Sequence, residues 1–414
     1  MALTKLSETA PFDVEAVRAD FPILAREVHG KPLVFLDSAA SAQKPRQVID
    51  TVSGVYEREY ANVHRGLYYL SERATTRYEE ARATIAAFIG AAHEHEIVFT
   101  RNATEAINLV AASWGDGLDA GDEVVISEME HHSNIVPWQM LRDRKGIVLK
   151  VAPVTDDGEF RLADLEALIG PRTKLVSTTH VSNVLGTVVP VADVVRLAHA
   201  AGAKVLIDGA QGVVHAAVDV AALDVDFYAF SGHKLYGPSG IGVLYGKEAL
   251  LDAMPPYQGG GEMIETVTFE STTWAPLPHK FEAGTPAIAQ AIGFAAAVDY
   301  VTALGIENIA AHETALLNYA TQQLAQVGGV RVIGTAPGKA SVISMALDFA
   351  HAHDAAMIAD RSGVAMRAGH HCAQPLMARF GVESTVRASL GLYNTRGDVD
   401  AMIAALDRVR HALA

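Results

Sequence analysis

Short apolar runs alternate with longer stretches of helical periodicity through the middle of the chain. EIVFT (96–100), DEVVIS (122–127), TKLVSTTH (173–180), AKVLID (203–208), DFYAFS (226–231) and IGVLYG (241–246) are brief and rich in β-branched or aromatic residues, which predicts strands. ATEAINLVAASW (103–114) and PVADVVRLAHAAG (190–202) predict helices between them, the second stopped by Gly202. This alternation predicts α/β architecture around a mostly parallel sheet, in which ligands sit at the carboxyl ends of strands. Past about Pro286 the pattern changes. A long helical region runs to about Gln326, then a strand over SVISMALDF (341–349), a cysteine-bearing loop, a strand over VRASLGLY (386–393) and a last helix from Asp398. Two domains are predicted: a large one over residues 30–290, and a small α+β one built from 1–29 and 291–414.

At 414 residues the chain is too long for one ordinary core. Half the residues are hydrophobic and a fifth charged, a globular composition. The formal net charge of −15 argues against nucleic acid or an anionic membrane as a partner, since both need a basic footprint. One cysteine cannot form an internal disulfide, and nothing points to an oxidising compartment. The first 22 residues contain no signal-like apolar run, and AIAQAIGFAAAVDYVTALG (287–305), interrupted by Gln290 and Asp299, reads as a packed helix. The expected location is the cytoplasm.

Several chemistries fail on spacing. GIGVLYGKE (240–248) has Glu248 where a phosphate-binding loop needs Ser or Thr, and there is no GxGxxG, HExxH or CxxC. The pairs His93/His95 and His351/His353 lack further ligands nearby and read as solvated loop residues, so no metal is expected. SGHKLYGP (231–238) is the better signal: Lys234 directly follows a strand, and a second strand ends on Asp208. Each has a bland explanation, a surface charge or a structural salt bridge. Together they match pyridoxal 5′-phosphate (PLP), whose aldehyde needs a lysine amine and whose ring nitrogen needs an acid partner. Its phosphate needs hydroxyls and N–H groups at a helix start, which Thr104, Ser231 and His233 could supply; alone, Thr104 reads equally well as an N-cap.

The blocks NATEAIN, EMEHHSNIVPW, THVSNVLGT, LIDGAQ, FSGHKLYGP, FEAGTP, RAGHHCA and VRASLGLYN, in order from LDSAASAQKP (36–45), resemble the class V aminotransferase family. More closely they resemble its SufS-type (group II) cysteine desulfurases. The resemblance implies a homodimer of fold type I, with a mostly parallel seven-stranded sheet in the large domain. It implies that Lys234 bonds the cofactor aldehyde, Asp208 pairs with the ring nitrogen, Gln211 approaches the phenolic oxygen and His131 stacks on the ring. Thr104, Ser231 and His233 match phosphate contacts, and Thr285 one supplied across the dimer interface. Arg387 matches the group holding the substrate carboxylate. Asn183 sits near it, equally readable as a turn residue. One departure is Ala103, where some relatives carry a second threonine, so that only its backbone N–H is on offer.

The implied reaction removes sulfur from L-cysteine, leaving L-alanine and a persulfide on Cys372 for iron–sulfur cluster assembly. His370, His371 and Arg367 are expected to favour the Cys372 thiolate. The RAGHHCA loop implies a dedicated acceptor, SufU-like or SufE-like, and His353 in FAHAHDAAM (349–357) is a docking candidate. Selenocysteine lyase activity, another PLP reaction, or a non-enzymatic sulfur carrier remain alternatives at this stage.

Overall fold

The computed structural model describes residues 12–413. Residues 1–11 of the 1–29 segment assigned to the small domain fall outside the described residues. Seven strands form the large sheet: β1 (Ile97–Thr100), β2 (Glu123–Ser127), β3 (Val148–Ala152), β4 (Thr173–Thr179), β5 (Lys204–Asp208), β6 (Phe227–Ser231) and β7 (Gly242–Gly246). Their order is β1-β7-β6-β5-β4-β2-β3. β7 is antiparallel to both neighbours and all other pairings are parallel, so six strands point the same way. β1, β2, β6 and β7 are buried at every position, which is why they read as continuous apolar runs. β3 was not anticipated from the sequence. It is a half-exposed edge strand with neither a continuous apolar run nor clean alternation.

Helices cover the sheet. α1 (Arg46–Arg58), α2 (Tyr69–Phe88), α3 (Ala103–Ala112), α4 (Val136–Lys145) and α5 (Val191–Ala200) precede α6 (Ile288–Leu304), which packs between α1 and α2. Twelve of its residues are buried, so it is apolar on all sides because protein surrounds it. The single long helical region expected to Gln326 is two helices. Gly305, at φ +81°, ends α6 and starts α7 (Ile306–Leu324) at a bend of 75°. Among the described residues no single helix is long and apolar enough to cross a membrane.

A second, antiparallel sheet has the order β8-β9-β11-β10, from β8 (Val330–Ile333), β9 (Val342–Leu347), β10 (Arg367–Gly369) and β11 (Thr385–Ser389). Ile343, Met345, Val386 and Ala388 form its core with Leu316 and Leu406, from α7 and the last helix, α9 (Arg396–Leu413), while α8 (Ala352–Asp360) adds Ala355 and Ala359. Val34 and Leu36 join that core, and Val34–Phe35 pairs in parallel with Val364–Ala365. Asp37 is thereby delivered beside Ser389 on β11.

Candidate active site

Because six strands share one direction, their carboxyl ends open onto one edge of the sheet. A cleft of about 320 Å³ lies there, lined by Thr104, His131, Asn183, Asp208, Ser231, His233 and Lys234 from the large sheet's connections. Arg367, His371, Cys372 and Arg387 enter it from the small sheet. Residues predicted from five separate loops thus meet in one place. Gly242 allows the first loop to approach, since a Cβ there would lie 2.5 Å from the Asn102 Cα.

Lys234 takes no hydrogen-bond or ion-pair partner among the described residues. Burial pushes its amine below the usual lysine range, against the attraction of Asp208. Asp208 is buried, and desolvation raises its carboxyl while Lys234 opposes the shift. One Asp208 oxygen accepts the Ala210 N–H at 3.0 Å, and the other has no donor among the described residues. A lone amine beside a half-satisfied buried carboxylate suits a ligand with an electrophilic carbon at one end and a proton-bearing nitrogen at the other. The donor set fits PLP.

At the helix start, Asn102 rather than Thr104 is the N-cap, its side chain accepting the Glu105 N–H at 2.9 Å. Thr104 is therefore available to the cleft, with its hydroxyl 2.5 Å from the Ser133 hydroxyl. The Ala103 N–H, expected to face a phosphate, donates instead to Ser231 Oγ at 2.9 Å. His131 Nδ1 accepts the Ser133 N–H at 3.1 Å, which places its proton on Nε2. Burial and then Lys234 push His131 down to about 3, so the ring is neutral. Its turn is anchored by Glu130, a fully buried carboxylate that accepts from Asn134 at 2.6 Å and from the Thr179 N–H at 3.0 Å. Glu130 was not singled out in the sequence, because its burial is set by tertiary packing. His233, pushed down to about 4 by burial, is also neutral.

Arg387 is 2% exposed, donating from Nη1 to the Asn183 carbonyl at 3.0 Å and from Nη2 to Asp37 at 3.2 Å. Its Nε–H is buried without a partner among the described residues. Asp37 also holds Arg367 through Nε at 3.1 Å and Nη2 at 2.8 Å. Two guanidinium groups share one carboxylate, which leaves room for a second carboxylate from a ligand. Asn183 is more than a turn residue, because its side chain donates to the His371 carbonyl at 2.8 Å.

Other expectations are corrected. Burial pushes His371 down to about 3 and Arg387 adds repulsion, so His371 is neutral and cannot supply positive charge to the thiol. The fixed cations around Cys372 are Arg367 and Arg387. Gln211 is buried beside the cleft, its amide donating to the carbonyl of the cleft-lining Ala39 at 2.7 Å. Thr285, matched to a contact across the dimer interface and so not expected in its own cleft, lines a separate cavity of about 370 Å³ with Tyr78, Glu105 and Glu282. The HxH pairs are helix starts rather than loops: His93 caps a short turn with Glu96, and His351 Nδ1 accepts the His353 N–H at 3.3 Å. Away from the cleft, His64, Glu79 and His279 approach within 4.8 Å of one another, but Glu79 already pairs with Arg82 and His64.

The sequence matches the family model "Aminotransferase class-V" over residues 34–402. A cysteine desulfurase of Dickeya dadantii is 56% identical over 404 residues, covering 97% of this chain and 98% of that protein. The crystal structure of the cysteine desulfurase CsdA from Escherichia coli superposes with a TM-score of 0.91 at 40% identity, covering 98% of this chain and 100% of that one. An apo cysteine desulfurase from Thermococcus onnurineus gives 0.91 at 37% identity, with both chains covered fully.

Proposed function

The chain belongs to the class-V aminotransferase family, and we propose that it is a PLP-dependent cysteine desulfurase converting L-cysteine to L-alanine with a persulfide left on Cys372. The observation that carries this reading is the meeting in one cleft of an unpaired lysine, a half-satisfied buried carboxylate and the chain's only thiol. When bound, PLP supplies an electrophilic carbon for the substrate amine and a protonated ring that withdraws electrons from the substrate Cα. Lys234 and Asp208 would hold its two ends; Thr104, Ser231 and His233 would hold its phosphate. Arg387 binds the substrate carboxylate, with Asn183 and Asp37 fixing the guanidinium plane. The Lys234 amine, kept from its usual basicity by burial, takes the Cα proton. The Cys372 thiolate attacks the substrate sulfur: an S–S bond forms, the Cβ–S bond breaks, and the electron pair is left on carbon to be protonated. Cysteine and an enzyme thiol thus give alanine and an enzyme persulfide, with atoms and electrons balanced.

Three finer points belong to the same proposal. Thr285 would reach the site of a second copy, since it is exposed and apart from its own cleft. A SufU-like or SufE-like protein would take the sulfur. The exposed His353 opens α8, which packs on β10, the strand that leads into the cysteine loop, and this supports docking there. The decisive test is Cys372→Ser. It should keep PLP absorbance and still bind cysteine, yet release almost no alanine. Alanine release near the wild-type rate would end the reading.

A further inference from the structure

His370-His371-Cys372-Ala373 holds an unusual backbone. His371 and Cys372 stand at φ +53° and +55°, consecutive non-glycine residues in the left-handed region. Such a conformation persists only where surrounding bonds impose it. Two of those bonds come from one residue outside the loop. The His132 N–H donates to the Cys372 carbonyl at 2.7 Å, and its ring Nε2 accepts the Gln374 N–H at 3.1 Å. They flank Ala373, pinning the backbone on the carboxyl side of the thiol-bearing residue. On the other side, Asn183 donates to the His371 carbonyl, and the His371 ring meets Thr385 Oγ1 at 2.8 Å.

We propose that the His132 side chain is a positioning residue that latches the cysteine loop in its strained, cleft-facing form and so controls when Cys372 reaches sulfur. This rests on the reading of Cys372 as the sulfur acceptor. His132 follows His131 directly, so one turn carries both a ring lining the cleft and the loop's latch. Accepting from a backbone N–H requires Nε2 to be unprotonated, which places the ring proton on Nδ1. Burial and the neighbouring His370, whose ring lies 5.8 Å away, both favour that neutral ring. Loss of the Nε2 acceptor hands the exposed Gln374 N–H to water and lets His371 and Cys372 relax toward ordinary backbone. The thiol, which lines the cleft while exposed at its mouth, then spends less time facing the cleft.

The test compares His132→Phe, which keeps the bulk and loses the acceptor, with His132→Gln, whose amide oxygen reaches about the position of Nε2. Both are made in the holoenzyme. His132→Phe should lower alanine release about five- to tenfold, the worth of one hydrogen bond. It should also raise the rate of Cys372 alkylation by iodoacetamide several-fold, with PLP absorbance unchanged. His132→Gln should recover most of both. Equal loss in the two variants would mean a packing effect and overturn the latch. So would wild-type alkylation and turnover in His132→Phe. If Cys372→Ser abolishes alanine release while His132→Phe matches wild type, the latch alone fails. If Cys372→Ser still releases alanine, the sulfur-acceptor reading fails first.

Discussion

Truncating Glu282 should destabilise the protein because it strands a buried charge. Arg82 is 1% exposed and meets Glu282 through two parallel bonds, Nη1 to Oε1 at 2.7 Å and Nη2 to Oε2 at 3.0 Å. The same carboxylate accepts the Phe99 N–H at 2.7 Å and the Tyr78 hydroxyl at 3.1 Å. The Arg82 guanidinium also lies over the Phe99 ring, 4.6 Å from its centroid. Glu282→Ala removes all four bonds and leaves Arg82 with the Ile97 carbonyl and the more exposed Glu79. Removing one partner of a buried ion pair costs about 3–5 kcal/mol, whereas replacing both by apolar groups of similar volume is often near neutral. Arg82→Met and Glu282→Leu should therefore each destabilise strongly. The double variant should be more stable than the sum of the singles predicts, by at least about 2 kcal/mol. Equilibrium urea unfolding of the four holo-proteins, followed by tryptophan fluorescence, measures the coupling. Additive single effects, or Glu282→Ala within about 0.5 kcal/mol of wild type, would refute the reasoning.

Glu130 supplies a pH test. Burial pushes it up to about 7 from an ordinary 4.5, so the folded chain holds a proton that the unfolded chain releases. That contribution is fully present below about 4.5 and lost as pH rises through about 7. The gap, at 1.36 kcal/mol per pH unit, comes to about 3 kcal/mol. Glu130→Gln should flatten the wild-type fall in stability between pH 5 and 8, and an unchanged slope would contradict the shift. Arg387→Lys cannot bond Asn183 and Asp37 while also presenting a planar fork to a carboxylate. It should lower kcat/KM for cysteine about 100-fold with PLP absorbance retained; wild-type kcat/KM would remove Arg387 from substrate binding. Thr285→Ala should weaken PLP retention on dialysis, and mixing it with Lys234→Ala should restore activity, since a mixed dimer rebuilds one complete site. Failure of mixing to restore activity would argue that Thr285 serves no partner site.

The strand positions and the residues at strand ends were legible in the chain because they depend on local composition. Buried β-branched or aromatic runs mark β1, β2, β5, β6 and β7; Asp208 ends β5, and Lys234 stands just past the end of β6. Segments whose burial is mixed left little local trace, as in the edge strand β3. Charge state lay further out of reach. HHC reads as a basic neighbourhood for the thiol, yet burial makes His371 neutral, and burial is a property of everything packed around it. The same holds for pairings. Asp37 meets Arg387 some 350 positions away, His132 meets Gln374 across 242, and Glu282 meets Arg82 across 200. Local spacing carries no record of such partners. They exist because the segment at 34–37 pairs into the small sheet and the cysteine loop folds back onto the large one. Only tertiary packing fixes those distances, since a hydrogen bond needs its donor within about 3 Å of an acceptor wherever the two stand in the chain.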